Sequence, residues 1–178
     1  MIVALAGRRI DLADAPHPRF PLRNVGLVRD RLRRLFELLG SGILVCSAAC
    51  GADLLALEEA GELNWRRRVI LPFHRDRFRE TSVTDRPGNW GPLYDYILNA
   101  IEPNDLLIEP AGRGTDNYEA VGLSILDEAA RLAAACGSPQ SAVLVWDSVD
   151  SGPGDLTYRF AATAKERGMD VLQVNTLE

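Results

Sequence analysis

Residues 46–53 read CSAACGAD: small residues, a glycine and then an acid, set between an apolar run and a helix-like run. Small side chains let the backbone come close to an anion, and the first turn of a helix leaves unpaired N–H groups and a partial positive charge to hold it. The stretch therefore has the make-up of a phosphate-binding turn. The same residue types also suit a plain strand-to-helix corner, and Asp53 suits a first helical turn by its charge alone. A second glycine turn, Gly152-Pro153-Gly154, stands ahead of another helix-like run. Two such turns on one edge of a sheet point more firmly to a ligand than either does alone.

The elements that must position these turns alternate along the whole chain. Apolar runs at 2–6, 43–46, 69–73, 105–108, 142–146 and 171–174 predict six strands. Between them, Val28, Leu32, Leu35 and Leu39 repeat at helical spacing up to Gly40. Further helices are predicted over 52–63, 89–101, 118–136 and 155–167, the last closed by Gly168. Strands that are apolar on both faces and alternate with helices belong to a mostly parallel sheet covered on both sides. The expectation is an α/β fold, one three-layer Rossmann-like domain over residues 1–178. Residues 74–91 show no clear period and are expected to be an irregular flap or edge insertion.

Composition narrows the function. The net charge is −5, which argues against a duplex-binding surface as the main role. Lys165 is the lone lysine beside 19 arginines, a bias that suits phosphate and carboxylate partners and that a coding preference also produces. Cys46, Cys50 and Cys136 are an odd set in a chain whose opening residues read as a strand and not as a leader, so reduced thiols and a cytoplasmic setting are expected. No apolar run approaches the ~20 residues of a membrane span. His17 and His74 are the two histidines and Cys46 and Cys50 lack ligand spacing, so no metal site is expected. Neither a glycine–x–serine–x–glycine elbow nor a P-loop lysine is present.

Ligands of such sheets sit beyond the carboxyl ends of the strands, where strand order reverses. Four of those ends carry small residues or glycines: Gly7-Arg8-Arg9, Ser47 to Asp53, Glu109 to Asp116, and Asp147 to Thr157. In that order these segments resemble the SLOG superfamily, Rossmann-like domains that include the LOG enzymes and DprA-like proteins. Ser47 to Asp53 is similar to its "SAxxxGAD" turn, Gly7-Arg8-Arg9 to "GHR", and Leu71-Pro72-Phe73 to "LPF". Tyr118 and Gly122 are similar to "YxxxG", and Val145-Trp146-Asp147 with Gly152 to Gly154 to "LWDGxxxxGxGGT". The resemblance covers essentially the whole chain.

That resemblance implies a site for a nucleotide or NAD-derived small molecule. It places Ser47, Gly51 and Gly154 on the phosphates, lets Arg8 reach in, and gives Asp53 or Asp147 a ribose hydroxyl. The full expected ligand-binding set is Gly7, Arg8, Ser47, Ala48, Gly51, Asp53, Tyr118, Asp147, Gly152, Gly154 and Thr157. The catalytic "GGxGTxxE" of LOG hydrolases is not matched: Phe160 stands three residues after Thr157, where the glutamate belongs. In the other possible match, Tyr118 takes that place and Glu119 falls one residue late, turned by about 100° on a helix. Asp155 stands where a phosphate-binding glycine is expected; a carboxylate there caps the helix and repels an anion.

The leading expectation is a sensor or carrier domain without chemistry of its own. One alternative is a nucleoside-phosphate or NAD-type N-glycosidase, with Asp147, Asp116 or Glu119 as the acid. Another is an assembly module with a vestigial pocket, dimerising through the 118–136 helix.

Overall fold

The computed structural model describes residues 1–109, 117–152 and 154–177. These form six strands, β1 (Ile2–Gly7), β2 (Ile43–Cys46), β3 (Arg66–Leu71), β4 (Leu106–Ile108), β5 (Gln140–Trp146) and β6 (Asp170–Asn175). The helices are α1 (Val25–Leu39), α2 (Ala52–Glu62), α3 (Arg75–Ser82), α4 (Trp90–Asn99), α5 (Asn117–Cys136) and α6 (Leu156–Glu166). The strands build one sheet in the order β4-β3-β2-β1-β5-β6, every pair parallel. The architecture is α/β, Rossmann-like and three-layered.

Alternation along β1 shows why the strands are apolar on both sides. Val3 and Leu5 lie in the core beneath α1, α2 and α4, while Ile2 and Ala4 lie in the core beneath α5 and α6. In α1, Val28, Leu32 and Phe36 recur every four residues and are fully buried, and Gly40 ends the helix at φ +78°. Phe36 meets Trp65 with ring centroids 5.0 Å apart. Helix α2, ADLLALEEAGE, is buried on nearly every side, and its buried residues include two acids, Asp53 and Glu59. Val121, Ile125, Leu126, Ala129 and Leu132 of α5 face the sheet.

The predicted irregular stretch contains α3. Its sequence, RDRFRETS, buries only Phe78 and Ser82, and one apolar side chain in eight residues produces no periodic stripe. Strand β3 starts three residues ahead of the predicted Val69, at Arg66. Arginines can occupy this strand because Arg66 and Arg68 both reach Asp105, at 2.8 and 3.0 Å, and Arg68 also reaches Glu128 of α5. Asp105 itself ends a 3-10 turn, and β4 begins at Leu106. No described helix is long and apolar enough to cross a membrane.

The chain steps from β1 outward to β4, then crosses back to place β5 on the other side of β1. The reversal between β1 and β5 is the switch point where such sheets open a crevice at their carboxyl ends.

Candidate functional site

Two features occupy that edge: a cleft and a closed ion cluster. The cleft has a volume of about 210 Å³ and is mainly apolar, with Phe78, Leu126 and Phe160 among its walls. Helix α2 approaches β1 so closely at its rim that a Cβ on Gly7 would lie 2.3 Å from the Ala52 Cβ. Glycine is required at position 7 for packing, whatever binds beside it.

Polar groups enter the cleft from several elements. Ser47 comes from the end of β2, Asp53 from the first turn of α2, Ser82 from the end of α3 and Thr157 from the start of α6. Asp53 is buried, and its Oδ2 accepts a hydrogen bond of 3.1 Å from the Ala49 N–H. Burial outweighs that bond and the charge of Arg9, and pushes the Asp53 carboxyl up to about 7. Near neutral pH it can therefore donate or accept a proton.

Two contacts link the helices that line the cleft. Tyr118 and Ser82 share a hydroxyl–hydroxyl hydrogen bond of 3.0 Å, with Tyr118 edge-on to Phe73, and so join α5 to α3. Arg159 of α6 donates to Glu119 Oε2 at 2.8 Å and joins α6 to α5. Arg9, the other arginine in the lining, pairs with Asp85 and lies 3.7 Å from the Cys50 sulfur.

Three N–H groups of the expected phosphate turn are bonded within the protein. Its Cys50 N–H goes to Ser82 O at 3.0 Å, its Ala52 N–H to Arg8 O at 3.1 Å, and its Ala49 N–H to Asp53. Gly51 adopts φ +98°, and its Cα also lies against the Arg8–Ile10 backbone: a Cβ there would meet Arg8 O at 2.8 Å. Ala48 is buried in the core.

The second assembly joins the ends of β1 and β5 to α6. Arg8 donates from Nε to Asp147 at 2.9 Å and from both terminal nitrogens to Asp155, at 2.6 and 2.7 Å. Arg19 donates to Asp147 at 2.8 and 3.1 Å and to Asp155 at 3.1 Å. Asp155 is the N-cap of α6, accepting from Tyr158 N–H at 3.1 Å. Arg8 also lies 5.6 Å from the Trp146 ring centre.

Of the residues singled out in the sequence, Gly7, Ser47, Asp53, Tyr118, Glu119 and Thr157 line the cleft. Arg8 and Asp147 bond to each other in the ion cluster. Gly152, with its N–H on Asp150, belongs to the turn ahead of α6, as does Gly154. Asp116 lies outside the described residues. Phe78 and Arg159 were not singled out for the cleft, and Arg19 was not singled out for the cluster. Each arrives from an element distant in sequence, and none carries a local motif. Cys46 and Cys50 are buried thiols whose pKa burial raises, and the described residues hold no metal-ligating cluster.

No family model and no curated protein matches the chain. A solved structure to which it is similar is DNA processing protein A (DprA) from Streptococcus pneumoniae, at 14% identity and a TM-score of 0.45. The match covers 98% of this chain and 59% of that one, so the chain spans about three-fifths of that protein's length.

Proposed function

We propose that this chain is a binding domain for a nucleoside-containing small molecule, held in the cleft beside β1. One observation carries the reading: a mainly apolar cleft at the carboxyl edge of the sheet encloses a buried carboxyl, Asp53, with the side chains of Ser47, Ser82 and Thr157 in the same lining. Apolar and aromatic walls suit the faces of a heterocyclic base. A carboxylate and hydroxyls suit ribose hydroxyls or an exocyclic amine. Binding without turnover fits the state of Asp147 and Glu119. Asp147 is bonded through both oxygens to two arginines, and Glu119 is paired with Arg159. The chain then acts as a sensor or carrier.

A second reading has one observation in its favour. A carboxyl with a pKa of about 7 is matched to protonating a leaving base at neutral pH, the general-acid step of an N-glycosidase. Titration calorimetry against nucleosides, nucleotides, NAD and ADP-ribose tests the first reading, and chromatography of the recovered compound separates the two. A compound bound and recovered intact supports binding alone. Free base in the recovered material, lost in Asp53→Asn, supports the hydrolase. No heat with any compound contradicts both.

A further inference from the structure

Asp53 is a buried acid that the fold leaves short of hydrogen-bond donors. Its Oδ2 accepts from the Ala49 N–H at 3.1 Å, and no other hydrogen bond or ion pair reaches its carboxyl among the described residues. An ionised carboxylate offers about four acceptor sites, so most of them face no donor. The 8% of Asp53 that remains exposed belongs to the cleft it lines. Burial raises its pKa to about 7, so the carboxylate form is available just above neutral pH.

Arg9 shows the opposite shortage on the same cleft. Its Nη2 is paired with Asp85, but its Nε is enclosed and has no hydrogen-bond acceptor among the described residues. The Arg9 charge reaches Asp53 and favours its ionised form. The two side chains thus bring one unused donor and an acceptor-only carboxylate to a cleft walled by Phe78, Leu126 and Phe160.

Each heterocyclic base meets this pair differently at its pairing edge. Guanine presents one acceptor, O6, and then two adjacent donors, the N1–H and the 2-amino group. Two parallel N–H bonds to one carboxylate are of the strong, charge-assisted kind. Adenine and cytosine set an amino donor beside an unprotonated ring nitrogen, whose lone pair would face a carboxylate oxygen. Uracil flanks its single N–H with two carbonyls.

Building on the binding function proposed above, we propose that the cleft selects guanine: Asp53 accepts from the N1–H and the 2-amino group, and Arg9 Nε donates to O6. The apolar walls cover the faces of the ring. Guanosine and its 5′-monophosphate carry the same base, so both enter the test.

The test is calorimetry at pH 8 with guanosine, inosine, adenosine, cytidine and uridine, and with their 5′-monophosphates. Inosine is guanosine without the 2-amino group, and so isolates one of the two bonds to Asp53. The expected result on wild type is guanosine, or its monophosphate, bound tighter than each counterpart by roughly tenfold or more. Asp53→Asn replaces one acceptor by a donor and should abolish the advantage of guanosine over inosine. Arg9→Met keeps an apolar stem, drops the donor, and should weaken guanosine and inosine by the same factor. Inosine bound as tightly as guanosine by wild type, or another base bound more tightly, overturns the guanine selectivity and leaves the cleft reading standing. No binding by any compound overturns both. A guanosine preference undiminished in Asp53→Asn overturns the role of Asp53, and undiminished guanosine binding in Arg9→Met overturns the contact to O6. If a variant does not fold, the wild-type ratio of guanosine to inosine decides the selectivity by itself.

Discussion

Asp53 joins burial, charge and the cleft in one side chain, and its titration offers a direct handle. Its folded pKa, about 7, lies above the ordinary value of 3.8, so between these pH values the folded state holds a proton that the unfolded state has released. The contribution of this group is therefore most favourable below about pH 4 and is lost as pH rises through 7. Asp53→Asn removes the group and should make the chain more stable than wild type at pH 8, by about 1–4 kcal/mol at some 1.36 kcal/mol per pKa unit. The advantage should vanish at pH 4. Thermal melts of the two proteins across that range check it through their difference, in which other titrating groups cancel. Ser47 and Asp53 were legible as members of a small-residue turn at a strand's carboxyl end, a turn that suits an anion site and a plain corner alike. The burial that shifts Asp53 was not legible, since it comes from walls contributed by helices far along the chain.

At the scale of elements, close approach and charge pairing hold the edge in place. Gly7 allows α2 to sit on β1: a Cβ there would lie 2.3 Å from the Ala52 Cβ and 2.7 Å from Val145 O. Both neighbours are fixed by the backbone, so Gly7→Ala should destabilise the fold by about 1–3 kcal/mol, measured by urea unfolding. It should also weaken any ligand, because α2 carries Asp53. On the opposite edge, Asp105 is buried beneath Arg66 and Arg68. Asp105→Ala leaves Arg68, itself 11% exposed, without that partner, and should cost on the order of 3 kcal/mol in the same assay. Arg66-Arg67-Arg68 looked like the approach to a strand because a pattern of apolar residues cannot show that Asp105 receives two of the three. The helix α3 escaped notice for a related reason: its polar sequence is held by its neighbours, through Arg79–Asp95 and the packing of Phe78 on Tyr94. Arg8 and Asp147 stood at the expected edge, yet nothing local reveals that they bond to each other and to Asp155.

For the whole molecule, the alternation of apolar strands and helices made the layered fold legible, down to the glycines that end helices. Strand order was not legible, because periodicity says which residues are buried and not which strand lies beside which. That order puts the reversal between β1 and β5, and with it the cleft and the ion cluster of Arg8, Arg19, Asp147 and Asp155. A ligand held only by the folded cleft should stabilise the whole chain, by about 2.7 kcal/mol at a hundredfold its dissociation constant. For a chain of this size that is a rise in melting temperature of roughly 5–10 °C.

The most direct measurement is therefore thermal shift of wild type and Asp53→Asn, side by side, against the nucleosides. The account predicts that at least one nucleoside raises the wild-type melting temperature by several degrees and has little effect on Asp53→Asn. An equal rise in both proteins, or no rise in wild type with any nucleoside, would contradict it.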